Sequence, residues 1–269
     1  MKQLKTGQFH GQTNNTILLD GITLTDTEYT QSKVDWHYHE NAYFTFILHG
    51  KVIEGNKKER FNCIPGSLLY HHWQEPHYNI KPTGYTRGFH IEINKHWFDQ
   101  FILENNTLQG SICVVDPDIK LLLYQIFKEA KRNDDASSIT IQSLVLNTIL
   151  TLNGYSNSIL NKRPAWVKKI RDILNDEFNH KLSLNYLVKT LDIHPVHLSR
   201  DFSKYFNCNI GEYIRKIKIE KSLSLLSNRQ YNLTSIAFEC GFADQSHFTR
   251  SFKALNGMSP SAYRKILFN

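Results

Sequence analysis

The chain has 269 residues, of which 41% are hydrophobic, 12% aromatic and 21% charged, a composition that excludes a mostly disordered polymer. No run of about 18 apolar residues occurs, which excludes a transmembrane helix. The polar stretch Met1 to Thr16 lacks the apolar segment of a secretory leader. The net charge of +7 is unevenly shared: residues 1–159 carry 14 basic and 16 acidic side chains, residues 160–269 carry 18 and 9. Only the second part has the electrostatic footprint of a polyanion binder.

From Ile17 to Ile93 short apolar runs alternate with Gly, Pro and Asn: Ile17 to Leu19 before Asp20-Gly21, Tyr43 to Leu48 before His49-Gly50, and Ser67 to Tyr70 after Pro65-Gly66. Tyr85 to Ile93 alternates in part, with Phe89, Ile91 and Ile93 on one side. Short strands at this spacing predict an antiparallel β-barrel or sandwich. After Asp116-Pro117 the period becomes helical. Ile119, Leu122, Leu123, Ile126 and Ala130 predict a helix over Asp118 to Arg132, and a second helix follows from Ile141 to about Gly154. The polar stretch Tyr155 to Pro164 reads as the linker. The cysteines Cys63, Cys113, Cys208 and Cys240 form no CxxC pair and read as buried thiols in a reducing cytosol.

Beyond Pro164 every segment reads as helix, and the region repeats itself. Leu184, Leu187, Leu191 and Ile193 recur 49 residues later as Leu233, Ile236, Cys240 and Phe242. Leu198, Arg200, Phe202, Asn207 and Tyr213 recur 50 residues later as Phe248, Arg250, Phe252, Gly257 and Tyr263. Asp192 and Gly241 stand at the turn, and Asn207 and Gly257 end the following helix; all four residues tolerate positive φ. Asn232 and Ser259 stand at N-cap positions. The pattern is two tandem helix-turn-helix units. Ser199-Arg200 and Thr249-Arg250 occupy matching places on the second helices, outward of the apolar pairs Leu198/Phe202 and Phe248/Phe252. Exposed arginine there suits guanine or phosphate. A single surface arginine is commonplace, and its repetition within a basic domain is what gives it weight.

The run Ile236 to Lys253, followed by Gly257-Met258-Ser259-Pro260-Ser261-Ala262-Tyr263-Arg264, closely resembles the AraC/XylS family of bacterial transcription regulators. Leu184 to Tyr213 resembles the family's first unit more loosely, departing at His194, where Ser is common, and at Val188, where Ala is common. The resemblance implies seven helices, with a long one over about Ile210 to Leu226 joining the two units. It implies base-facing residues Val196, His197, Ser199 and Arg200 in the first unit and Gln245, Ser246, Thr249 and Arg250 in the second. Lys204, Lys216, Lys218 and Lys253 become either phosphate contacts or plain surface.

The first half resembles the cupin-like effector domain of the same family, through Trp36-His37-Tyr38-His39, Gly50, Pro65-Gly66 and Pro76-His77. His37, His39, His77, Trp36 and Tyr43 are the expected ligand-binding residues. Metal-binding cupins add a Glu three or four residues past the HxH pair, where this chain has Tyr43 or Phe44, so neither a metal nor a cofactor is expected. His71-His72-Trp73 is expected to decorate the loop region near the mouth.

The sequence reading is therefore an α+β chain: a cupin-like antiparallel β-barrel with helices in an effector-binding and dimerisation domain, residues 1–159, and an all-α domain of two helix-turn-helix units, residues 160–269. The expected function is a cytoplasmic, non-enzymatic transcription regulator, by resemblance an activator more often than a repressor. Its expected partners are double-stranded promoter or operator DNA, a small-molecule effector, RNA polymerase and a second copy, with no membrane. The Ile119/Leu122/Leu123/Ile126 stripe is the expected dimer face, the alternative being that it packs on its own barrel. The rival readings are a cupin-type metalloenzyme, isomerase or oxygenase, with a DNA-binding appendage, and a constitutive architectural DNA binder with a dead barrel.

Overall fold

The computed structural model describes residues 1–101, 110–160, 164–180 and 182–268. Contacts divide the chain into two compact units, Met1–Ser156 and Asn157–Asn269.

The first unit is built from two sheets. The five-stranded sheet has the order β1 (Lys2–Leu4), β4 (Lys33–His39), β9 (His77–Ile80), β6 (Val52–Gly55) and β7 (Arg60–Cys63). The six-stranded sheet has the order β11 (Ser111–Cys113), β8 (Leu68–His71), β5 (Ala42–His49), β10 (Arg87–Ile93), β3 (Ile22–Glu28) and β2 (Gln12–Leu19). All pairings are antiparallel except β1 with β4. The expected barrel is present, and more of it is strand than the apolar runs announced. A short helix, α1 (Lys95–Gln100), follows β10 and is capped by Asn94, whose side chain accepts from the Trp97 amide.

Because side chains alternate across a strand, β5 and β10 are apolar on one face and polar on the other. Phe46 and Phe89 stand on the outer face and are covered by α2 (Pro117–Arg132), with ring contacts Phe46–Tyr124 at 4.6 Å and Phe89–Phe127 at 5.1 Å. Asp116 caps α2 by accepting from the Asp118 amide at 2.9 Å, and Pro117 takes the first helical position. Buried Asp26 ties the helix down, accepting from Arg87 Nε at 2.6 Å and pairing with Lys131 at 2.9 Å.

This arrangement corrects the expected dimer face. Ile119, Leu123 and Ile126 are fully buried within the unit and Leu122 is half-buried, because the outer face of the six-stranded sheet needs an apolar cover. The next helix, α3 (Ser137–Leu160), runs past the expected end at Gly154, and residues 161–163 of the linker lie outside the described residues. Its outward side leaves Ile139 and Leu150 exposed, at 75% and 51%. The cysteines need correction too: Cys63 and Cys240 are buried, Cys208 is half-buried and Cys113 is exposed.

The second unit contains helices α4 (Ala165–Asp176), α5 (Leu184–Leu191), α6 (Pro195–Phe206), α7 (Ile210–Leu226), α8 (Leu233–Glu239), α9 (Gln245–Asn256) and α10 (Pro260–Phe268). The joining helix α7 covers the range the resemblance implied, and a capping box between Asn209 and Glu212 starts it. The duplicated turn residues behave as their chemistry requires: Asp192, Asn207, Gly241 and Gly257 all have positive φ, between 53° and 74°. Gly241 has a second reason to be glycine, since a Cβ there would lie 2.6 Å from the Asn179 carbonyl oxygen.

Candidate functional site

Each unit carries one candidate site. In the helical unit, α5–α6 and α8–α9 are the two helix-turn-helix pairs. His194 caps α6, its Nδ1 accepting from the Val196 amide at 3.3 Å, so an imidazole does the work of the absent serine. Asp244 caps α9, accepting from the His247 amide at 2.7 Å. Leu198, Phe202, Phe248 and Phe252 are fully buried, and their burial fixes which side of each helix faces out. Val196, His197, Ser199 and Arg200 are exposed on α6; Gln245, Ser246 and Arg250 are exposed on α9, with Thr249 half-exposed beside them.

The outward groups are not idle. Arg200 Nε donates to Asp201 at 2.9 Å and its guanidinium lies 3.2 Å from His197 Nδ1. Gln245 accepts from Thr234 at 2.6 Å. Arg250, His247, Arg215 and Lys216 line a groove of the helical unit between the start of α7 and α9. Lys218 is engaged within the unit. Its Nζ donates to the Gly241 carbonyl at 2.5 Å and lies over the Phe242 ring, holding the second turn closed, and its burial lowers its pKa.

In the β-unit, the inner faces of both sheets line a cavity of about 40 Å³. Cross-strand register creates its polar wall: His37 on β4 is directly opposite His77 on β9, with ring centroids 4.2 Å apart. His39, two residues on from His37, shares that face. His37 Nδ1 faces the Asp35 carbonyl at 2.8 Å and His77 Nδ1 faces the Glu75 carbonyl at 3.0 Å. A carbonyl only accepts, so both Nδ1 atoms carry the proton and both Nε2 atoms are lone-pair donors. Tyr43 hydroxyl stands 2.9 Å from His77 Nε2. Burial depresses the pKa of His37 and His39 and presses that of His77 to about 3, so these rings are neutral near neutral pH.

The sequence missed half of this wall. Glu54 on β6 is buried, 2.9 Å from His71 Nε2. Burial pushes its carboxyl up, but His71, then His77 and Asn79, more than offset that and hold it at about 2. His71 is therefore no loop decoration; it is fully buried on β8. His90 on β10 bonds Tyr29 hydroxyl at 2.7 Å. The signal was the alternation of β10 itself: with Phe89, Ile91 and Ile93 on one side, His90 and Glu92 had to share the other. Phe9 closes the cavity, stacked on His90 at 3.6 Å, while the Gly7 amide donates to Glu92. Burial raises Glu92 to about 7 against that donation. Trp36 is a correction: it points outward from β4, 41% exposed, against Tyr78 of the same outer face.

The chain matches two family models: an AraC-like ligand binding domain over residues 21–149 and a helix-turn-helix domain over residues 187–266. It is 31% identical to the Msm operon regulatory protein of Streptococcus mutans over 105 residues, which span 39% of this chain and 38% of that one. It is 22% identical to the HTH-type transcriptional activator RhaS of Escherichia fergusonii over 257 residues, covering 85% and 87% of the two chains. Among solved structures it is similar to ToxT of Vibrio cholerae, at 16% identity and a TM-score of 0.40, over 91% of this chain and 99% of that one. Among the described residues no helix is long and apolar enough to cross a membrane.

Proposed function

The chain belongs to the AraC-type transcription regulators, with an N-terminal ligand-binding domain and a C-terminal helix-turn-helix DNA-binding domain, and from that premise we propose how its residues divide the work. Val196, His197, Ser199 and Arg200 on α6, and Gln245, Ser246, Thr249 and Arg250 on α9, read successive major-groove segments on one face of the DNA. The observation that carries this is the matched pair of helices, each buried through its apolar stripe and each offering a Ser/Thr-Arg pair on the opposite side. Arginine addresses guanine O6 and N7, glutamine addresses adenine, and Val196 reaches a thymine methyl. In the free chain Arg200 is held by Asp201, so binding exchanges that pair for a base or phosphate.

His37, His39, Tyr43 and His77 form the polar wall of the effector site, and Phe9 is its lid. An effector alters DNA binding only by favouring one arrangement of the protein over another. The chain acts as a homodimer, and the outward side of α3, with Ile139 and Leu150, supports that reading because α2 is already spent on its own sheet. It activates transcription through RNA polymerase in the cytoplasm and catalyses no reaction of its own; the activator RhaS among its relatives supports this. Selection of operators from random duplexes, followed by transcription from the selected site with and without RNA polymerase contacts intact, tests the reading. A random pool that yields no preferred sequence would overturn it in favour of an architectural DNA binder.

A further inference from the structure

The β-unit cavity is small for an organic effector. Ligand pockets for drug-sized molecules run to about 300–1,000 Å³, whereas the space enclosed here is about 40 Å³, room for an ion and a water or two. What surrounds it is also unusual for an apolar pocket. One nitrogen from each of His37, His39 and His77 lies within 4.8 Å of the others, and all three residues are buried. Two of the rings have their Nδ1–H tied to backbone carbonyls, of Asp35 and Glu75. That outer bond fixes the ring and leaves Nε2 as donor, the arrangement that orients metal-ligating histidines. Buried His39 Nδ1 and Glu92 Oε1 have no hydrogen-bond partner and stand 3.8 Å apart. Of the two, His39 lines the cavity, which thus holds a polar atom that the protein's own hydrogen bonds leave unsatisfied.

We propose that His37, His39 and His77 bind a divalent first-row transition-metal ion, and that such an ion is the effector class of this domain. Three neutral imidazoles suit Zn²⁺, Co²⁺, Ni²⁺ or Cu²⁺ and are poor ligands for Mg²⁺ or Ca²⁺. Nitrogens at about 2.1 Å from one tetrahedral ion are about 3.4 Å apart, so the ligand atoms, now within 4.8 Å of one another, close by up to about 1.4 Å on binding. His77 Nε2 gives up the Tyr43 hydroxyl in exchange. The ion turns a loose polar cluster into a cross-link between β4 and β9. Phe9 stacked over His90 narrows the cavity beside the ion, which favours a sensor over the metalloenzyme alternative. The effector role rests on the ligand-controlled reading above; the binding site itself does not.

The test uses full-length protein purified without a metal-affinity step and stripped with chelator. Equilibrium dialysis against Zn²⁺, with elemental analysis, is expected to leave one ion per chain. Titration with Co²⁺ is expected to develop visible ligand-field absorption that Zn²⁺ abolishes. His37→Ala and His77→Ala should each lose at least tenfold in affinity, while His96→Gln, exposed on α1 and outside the cavity lining, should retain it. Wild-type protein that is folded by circular dichroism yet retains no Zn²⁺ and gives no Co²⁺ spectrum overturns the site, whatever the variants do. Retention in both alanine variants overturns the assignment of ligands. Operator affinity is then measured with stripped and Zn²⁺-loaded protein. Equal affinities overturn the effector role alone. If stripped protein fails to bind metal but its operator affinity still responds to an organic metabolite, the metal proposal fails and ligand control stands.

Discussion

At the residue scale the duplicated arginines are separable by experiment. Arg200 is already paired with Asp201 and near His197, whereas Arg250 lines a groove with Arg215 and Lys216. A base reader replaced by alanine costs about 1–3 kcal/mol and relaxes preference at one small cluster of bases, while a phosphate contact weakens all sequences alike. The expectation is that Arg200→Ala alters the selected operator and that Arg250→Ala does so less. Base preferences identical to wild type in both variants would remove the readout assignment and leave the fold untouched. His90 gives a prediction about acid. Its ring is buried and its pKa pressed by burial to about 3, against an ordinary 6.5. Above 6.5 both folded and unfolded chains hold it neutral. As pH falls below 6.5 only the unfolded chain takes the proton, so stability drops by roughly 1 kcal/mol per pH unit until about pH 3. The loss of thermal midpoint between about pH 7.5 and about pH 5.5 should be smaller in His90→Gln than in wild type; an equal loss would show that other groups carry it.

At the element scale, what decides a helix's role is which neighbour its apolar stripe already has. The stripe of α2 was legible in the sequence as period, but not its partner, because Leu123 looks the same whether it meets Phe46's sheet or a second subunit. Buried as it is, Leu123→Ala should cost about 2–5 kcal/mol with no change in oligomeric state of the protein that remains folded. The side of α3 that carries Ile139 and Leu150 has no such cover from its own unit. Ile139→Asp with Leu150→Asp should therefore keep the melting temperature within a few degrees and convert a dimer to a monomer by sedimentation. A dimer that persists in this variant would place the interface elsewhere. The turn of the second helix pair is constrained twice, by φ of +70° at Gly241 and by the Asn179 carbonyl. Gly241→Ala should accordingly destabilise the helical unit by more than the equivalent change at Gly257, where a Cβ would meet nothing within 4 Å. Similar losses at the two sites would mean that φ alone matters.

At the scale of the whole molecule, the two halves were unequally legible. The helical half was readable because its rules are local. Periodicity, cap residues and the spacing between Arg200 and Arg250 sit within a turn or two of the features they control, and a duplication shows each rule twice. The cavity was readable only in part, because register is set between strands distant in sequence. The HxH pair and His77 declare themselves, but Glu54 meets His71 only because β6 and β8 belong to facing sheets. Trp36 was misplaced because adjacency to His37 in sequence means opposition across a strand. The same division by charge yields the last prediction. Residues 160–269 carry 18 basic and 9 acidic side chains, and residues 1–159 carry a slight acidic excess. If the helical unit alone meets the DNA backbone, then residues 160–269 expressed separately should bind duplex DNA with a salt dependence close to that of the full chain, because the counterions released are those displaced by its own lysines and arginines. Six or more phosphate contacts imply a loss of about a thousandfold or more between 50 and 200 mM salt. In the proposed homodimer the first half would contribute through dimerisation, which raises the effective concentration of the second helical unit without adding charge. The full chain should therefore bind a two-site operator more tightly than the fragment, while both show the same slope on a single half-site. Affinity of the fragment that stays flat with salt would remove the electrostatic basis of the interface. A steeper half-site slope for the full chain would mean that the first half also touches DNA.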